Sequence, residues 1–152
     1  MKATLCILFL STLVACGPRK TADVHFLSLS ETNQGRALPL HVIPVDDNLR
    51  SKLEAMSAED WFLSEEAETL TGIKKKVLRG AQNELLRVER ANSKNDFLVV
   101  VDFAEVKGSD RQKILIGDRY YSAKDIYVLV GKDSIRVVSK SVYNDYLKSS
   151  GH

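Results

Sequence analysis

The stretch Phe97-Leu98-Val99-Val100-Val101-Asp102-Phe103-Ala104-Glu105-Val106 opens on an apolar run with no polar alternation. A half-buried strand alternates apolar with polar residues, so the stretch is expected to be a β-strand over 97–106, and its unbroken run at 98–101 predicts a central strand covered on both faces. Shorter β-rich runs follow or precede it at 84–89, 112–116, 125–130 and 134–139. Turn candidates separate them: Asn92-Ser93-Lys94-Asn95, Lys107-Gly108-Ser109-Asp110, Gly117-Asp118 and Gly131-Lys132-Asp133. That spacing predicts a mainly β fold, a small β-sandwich rather than a series of βαβ units.

Upstream, residues 24–29 and 37–45 are rich in Val, Leu, Ile and Phe and are joined by the turn-like Ser30-Glu31-Thr32-Asn33-Gln34-Gly35-Arg36. Pro39 and Pro44 donate nothing to a ladder, so the second of these strands is expected at a sheet edge or to be broken. Asp46, Asp47 and Asn48 offer caps for a helix carrying Leu49, Leu53 and Met56. Ser57-Ala58-Glu59-Asp60 has the spacing of a capping box, with Trp61, Phe62, Leu63, Ala67 and Leu70 beyond it. A short helical insertion is therefore expected at about 48–70, ending before Gly72. Residues 73–78 fit strand or helix equally, and so does Tyr143-Asn144-Asp145-Tyr146-Leu147. No internal repeat or second domain stands out.

The chain has 152 residues, 44% hydrophobic and 28% charged, enough for one packed core. Lys+Arg 22 against Asp+Glu 20 leaves a formal charge of +2, which argues against a dedicated nucleic-acid binder. The cysteines are Cys6 and Cys16, so no disulfide framework or Cys-ligated zinc site fits the body. Histidines occur at 25, 41 and 152 only, and no G-x-S-x-G, H-E-x-x-H or Walker motif is present. Asp46-Asp47-Asn48 lacks the alternating oxygens and closing Glu of an EF-hand. Metal binding, a small-molecule substrate and enzymatic activity are not expected. Glu54, Glu59, Asp60, Glu65, Glu66 and Glu68 gather in the insertion, followed by Lys74, Lys75, Lys76 and Arg79. These read as solvated faces or as an electrostatic docking surface. Trp61 and Phe62 read as core, or as partner anchors if exposed.

The amino terminus reads as an address. Lys2 precedes an apolar run too short to span a bilayer but suited to a secretory signal. Its end, Leu13-Val14-Ala15-Cys16, resembles the lipobox of bacterial lipoproteins, which implies a signal peptide at 1–15, acyl chains on Cys16 as the only attached group and a mature chain beginning there. Residues 16–22 would then be the lipidated Cys and a tether reaching roughly 20 Å, and 23–152 the sandwich domain. Several acyl chains hold a protein to a membrane almost permanently without crossing it. Gly17, where inner-membrane lipoproteins usually have Asp, points to the outer membrane, facing the periplasm.

Lipobox, short tether, strand, the loop containing Asn33-Gln34-Gly35-Arg36-Ala37-Leu38-Pro39-Leu40, second strand and helical insertion around Asp60-Trp61-Phe62 together resemble the TssJ family, the outer-membrane lipoprotein of the type VI secretion system. The resemblance implies a transthyretin-like β-sandwich with added helices. It also implies that the body binds the periplasmic domain of the inner-membrane subunit TssM, anchoring the trans-envelope complex. By the same resemblance Asn33, Gln34, Gly35 and Arg36 belong to the docking surface; Arg36 offers a fork of donors and Gly35 permits close backbone approach. Asp102-Phe103-Ala104-Glu105 departs from the aromatic-Arg-Asp stretch common in that family. Other readings are a pilotin-like lipoprotein assembly module, or a periplasmic carrier or enzyme with a pocket lined by His41.

Overall fold

The computed structural model of the chain describes residues 21–89, 96–106, 111–120 and 123–150. Its strands are β1 (Thr21–Ser28), β2 (Leu38–Val45), β3 (Lys74–Leu78), β4 (Gln82–Glu89), β5 (Asp96–Val101), β6 (Lys113–Ile116), β7 (Asp125–Val130) and β8 (Ile135–Val138). They form two four-stranded sheets, ordered β4-β1-β7-β8 and β3-β2-β5-β6. Every pairing is antiparallel except β1 with β7.

The apolar run of β5 explains the layering. Phe97, Val99 and Val101 face the first sheet and join Val24, Phe26, Leu40, Val42 and Val128 in the core between the sheets. Leu98 and Val100 face the other way, into a second apolar layer with Ile43, Val45, Leu53, Ala58, Trp61 and Ala67. Fully burying one such side chain contributes about 1.5–3 kcal/mol, so β5 contributes to two cores at once.

The second layer is completed by α1 (Asp47–Ala55), α2 (Ala58–Leu63) and α3 (Glu65–Thr69). Each begins on a side-chain cap: Asp46 accepts from the Leu49 N–H, Ser57 from the Asp60 N–H and Ser64 from the Ala67 N–H. On the opposite outer face α4 (Lys140–Ser149), capped by Ser139, lays Tyr143 over Leu27 and Leu129. That helix settles the ambiguous 143–147 segment, and β3 settles 73–78. No helix among the described residues is long and apolar enough to cross a membrane.

Three boundaries differ from expectation. β2 lies inside its sheet, between β3 and β5, and is not at an edge. Its prolines sit where the ladders run out: Pro39 reaches past the end of β5, with its carbonyl accepting from the Asp102 N–H at 3.2 Å, and Pro44 lies beyond the β2–β3 register, which stops at Val42↔Lys74. β5 ends at Val101 instead of running to 106, because side chains take over its backbone donors. The Phe103 N–H donates to Gln112 Oε1 (2.8 Å) and the Ala104 N–H to Asn33 Oδ1 (2.9 Å). β1 starts at Thr21, inside the stretch read as tether. The signal peptide at 1–15, Cys6, Cys16, the turns at 92–95 and 107–110, and His152 lie outside the described residues.

Register places the β1–β2 loop, the β3–β4 turn, the start and finish of the β5–β6 connection and the β7–β8 turn at one end of the sandwich.

Candidate docking site

At that end the β1–β2 loop makes a single turn over Thr32–Gly35 in which Asn33, Gln34 and Gly35 all have positive φ, of 49°, 56° and 74°. A left-handed backbone costs an L-residue roughly 1–2 kcal/mol, and glycine almost nothing. Gly35 is thus suited to its place, while Asn33 and Gln34 are held there by their surroundings.

Asn33 is 4% exposed and supplies much of that hold. Its Nδ2 donates to the Ala37 carbonyl (2.7 Å), its Oδ1 accepts from the Ala104 N–H, and its own N–H donates to the Lys132 carbonyl (3.1 Å). Thr32, also buried, donates its hydroxyl to the Val130 carbonyl and accepts from the Leu29 N–H, both at 2.8 Å. The loop is therefore pinned to both neighbouring connections. Of the four residues expected on the docking surface, Gln34, Gly35 and Arg36 are exposed, and Asn33 stands behind them as the fastening.

Gln34 Nε2 donates to Glu105, and Arg36 lies 3.6 Å from the same carboxylate, with both charged side chains 59% exposed. The contact ties up little of the Arg36 fork, since an exposed ion pair contributes about 0–1 kcal/mol. Beside the loop lies a cleft of about 400 Å³ lined by Phe103, Glu105, Arg111, Lys132 and Asp133 as well as Asn33 and Gln34. Arg111 pairs with Asp133 at 2.9 Å. The sequence did not point to Glu105, Lys132 or Asp133, because chain closure over 71 residues or more joins them to the loop.

The remaining candidates are accounted for in the fold. Trp61 is buried and donates from Nε1 to His41 Nδ1 (3.2 Å), and Phe62 packs against the His41 ring at 4.6 Å. Burial, with Lys75 nearby and Glu68 opposing, pushes the His41 imidazole down to about 4, so the ring is neutral and accepts the indole proton. His41 is a core acceptor and lines none of the clefts described here. His25 bonds Asp125 at 2.9 Å and stacks on Tyr127. Of the acidic and basic groups, Lys75 pairs with Glu68, while Glu66 and Lys76 pair outside them, with Lys52 and Glu84. Asp102 is raised by burial and by Glu59, with which it lines a cleft of about 590 Å³. Leu63, read as apolar helix surface, is 80% exposed. Among the described residues no group of three or more His, Cys, Asp or Glu could hold a metal ion.

No protein-family model matches the chain, and no curated protein sequence matches it. Solved structures do. Lip of Serratia marcescens, described as a membrane-bound component of the type VI secretion system, superposes with a TM-score of 0.64 at 11% identity, over 78% of this chain and 97% of that one. The type VI lipoprotein TssJ1 from Pseudomonas aeruginosa gives 0.61 at 9% identity, over 81% and 98%. A chain in the structure described as the TssM C-terminal domain from EAEC gives 0.66 at 10% identity, over 80% and 99%. At these identities the shared property is the fold, and the chain is TssJ-like in being built on the β-sandwich of these type VI secretion lipoproteins.

Proposed function

We propose that this protein is the outer-membrane lipoprotein subunit of a type VI secretion membrane complex, moored by acyl chains on Cys16 and holding the periplasmic domain of the inner-membrane subunit TssM. The observation that carries the reading is the shared fold, which extends over 97% and 98% of the Lip and TssJ1 chains, and the lipobox-like Leu13-Val14-Ala15-Cys16 of the sequence accords with it. The fastened loop supports it in detail. Gln34, Gly35 and Arg36 stand out on a backbone already fixed by Thr32 and Asn33, so little conformational entropy remains to be lost when a partner docks. The role is mechanical: one end is held by lipid, the other grips a protein, and no bond is made or broken.

Fractionation of cells carrying Cys16→Ser tests the mooring. The variant is expected to fold, to leave the outer-membrane fraction and to lose TssM from that fraction. A Cys16→Ser protein that still partitions with the outer membrane as the parent does contradicts the reading.

A further inference from the structure

The sandwich has a second exposed feature, along the β6 and β8 side, lined by residues other than those of the loop cleft. Among the described residues β6 pairs only with β5, and β8 only with β7, so each has one open edge, and the two strands adjoin on the same side of the molecule. The Ile135 N–H donates to the Arg111 carbonyl (3.1 Å) and joins the two edges at the loop end. Beyond that bond the strands part around a groove of about 680 Å³. Its floor is the margin of the inter-sheet core, with Ile114, Ile135 and Val137 facing into it. Its rim is basic, formed by Arg50, Arg119 and Arg136.

The rim is only partly neutralised. Arg50 is held by Asp96 at 3.0 Å and lies 3.8 Å from Asp47. Arg136 donates to the Tyr146 hydroxyl (3.3 Å), and the Arg119 guanidinium rests 5.1 Å over the Tyr120 ring, so neither meets a carboxylate among the described residues. Asp96 is 6% exposed, and its second oxygen accepts no hydrogen bond, an unmet acceptor on the inner wall. Two open strand edges, an apolar floor and arginine forks without carboxylates match an extended peptide that supplies backbone donors to the edge, apolar side chains downward and carboxylates outward.

We propose that this groove binds an extended acidic segment of another protein, which adds alongside the free edge of β8. The chain does not supply such a segment itself. Its residues outside the described set contain a single acidic residue, Asp110, and residues 1–20 bring Lys2, Arg19 and Lys20. The acidic face of a second copy is carried on α1–α3, which are helices and offer no free strand. The groove is distinct from the loop at 33–36, so its occupancy does not depend on the TssM reading.

The test uses the full-length chain and three fluorescein-labelled octapeptides that alternate valine with aspartate, asparagine or lysine. Binding is read by anisotropy at low salt and located by backbone amide NMR. The aspartate peptide is expected to bind at least about tenfold tighter than the asparagine peptide, with shifts centred on β6 and β8. Combined Arg119→Glu and Arg136→Glu should weaken it by at least about tenfold with an unchanged melting profile, while the paired Lys substitutions should weaken it by only about threefold. Arg36→Glu should leave this affinity unchanged. No binding, equal binding of the asparagine peptide, shifts centred on Lys74–Lys76, or sedimentation showing a dimer that Arg136→Glu dissociates would each overturn the proposal.

Discussion

Asn33 does with one side chain what a ladder does with several residues: it satisfies the Ala37 carbonyl and the Ala104 N–H while its own backbone is left-handed. Asn33→Ala leaves both groups unpaired in a buried setting and is expected to cost about 2 kcal/mol, measurable as a lower urea midpoint with an unchanged slope. At Gln34 the same backbone carries a side chain that does not require it. Gln34→Gly relieves the strain, offset by glycine's greater freedom when unfolded, so stability should stay level or rise by up to about 1 kcal/mol in the same assay. His41 gives a pH dependence with a defined sign. Its folded value of about 4 lies below the ordinary value of 6.5, so the unfolded chain binds the extra proton. The contribution is complete above pH 6.5 and is lost as pH falls toward 4, on the order of 3 kcal/mol in all. Thermal melts should therefore fall more between pH 7 and pH 5 in the parent than in His41→Gln, which keeps an acceptor for Trp61; equal falls would contradict the assignment.

The elements show how much local reading can deliver. The caps at Asp46 and Ser57 and the apolar run at 98–101 act over a few residues, and they located α1, α2 and β5 because their physics is local. The prolines of β2 misled for the opposite reason. A missing donor matters only on the side where a neighbour pairs, and how far β3 and β5 extend beside β2 is set by residues far along the chain. The 143–147 segment stayed open because five residues are too short a window for periodicity to separate helix from strand, and the helix is seen only from Tyr143, Tyr146 and Leu147 packing together on Leu27 and Leu129. A long-range contact also finishes α1. Lys113 Nζ on β6 donates to the carbonyls of Leu53 (2.9 Å), Glu54 (2.9 Å) and Met56 (2.6 Å), so a cation sits at the helix's negative end. Lys113→Met should fray that end, with a loss of about 1–2 kcal/mol and faster amide exchange confined to the last turn of α1 and the segment leading into α2.

Across the whole molecule, strand order and the β1–β7 parallel pair fix what the loop can do. They bring the β7–β8 turn under Asn33 and the start of the β5–β6 connection beside Gln34, contacts that no local pattern in the sequence encodes. The resemblance singled out the four-residue stretch 33–36, and its division into one buried residue and three exposed ones comes from the structure. On the proposed reading, the loop fastened at one end of the sandwich grips the partner and acyl chains on Cys16 moor the protein. Isothermal titration of the TssM periplasmic domain against the full-length chain tests this grip most directly. The account predicts a saturable complex that Arg36→Glu weakens by at least about tenfold without lowering the melting temperature, because an exposed fork contributes to docking and little to folding. A chain that binds no TssM, or binds it equally well with Glu at position 36, contradicts it.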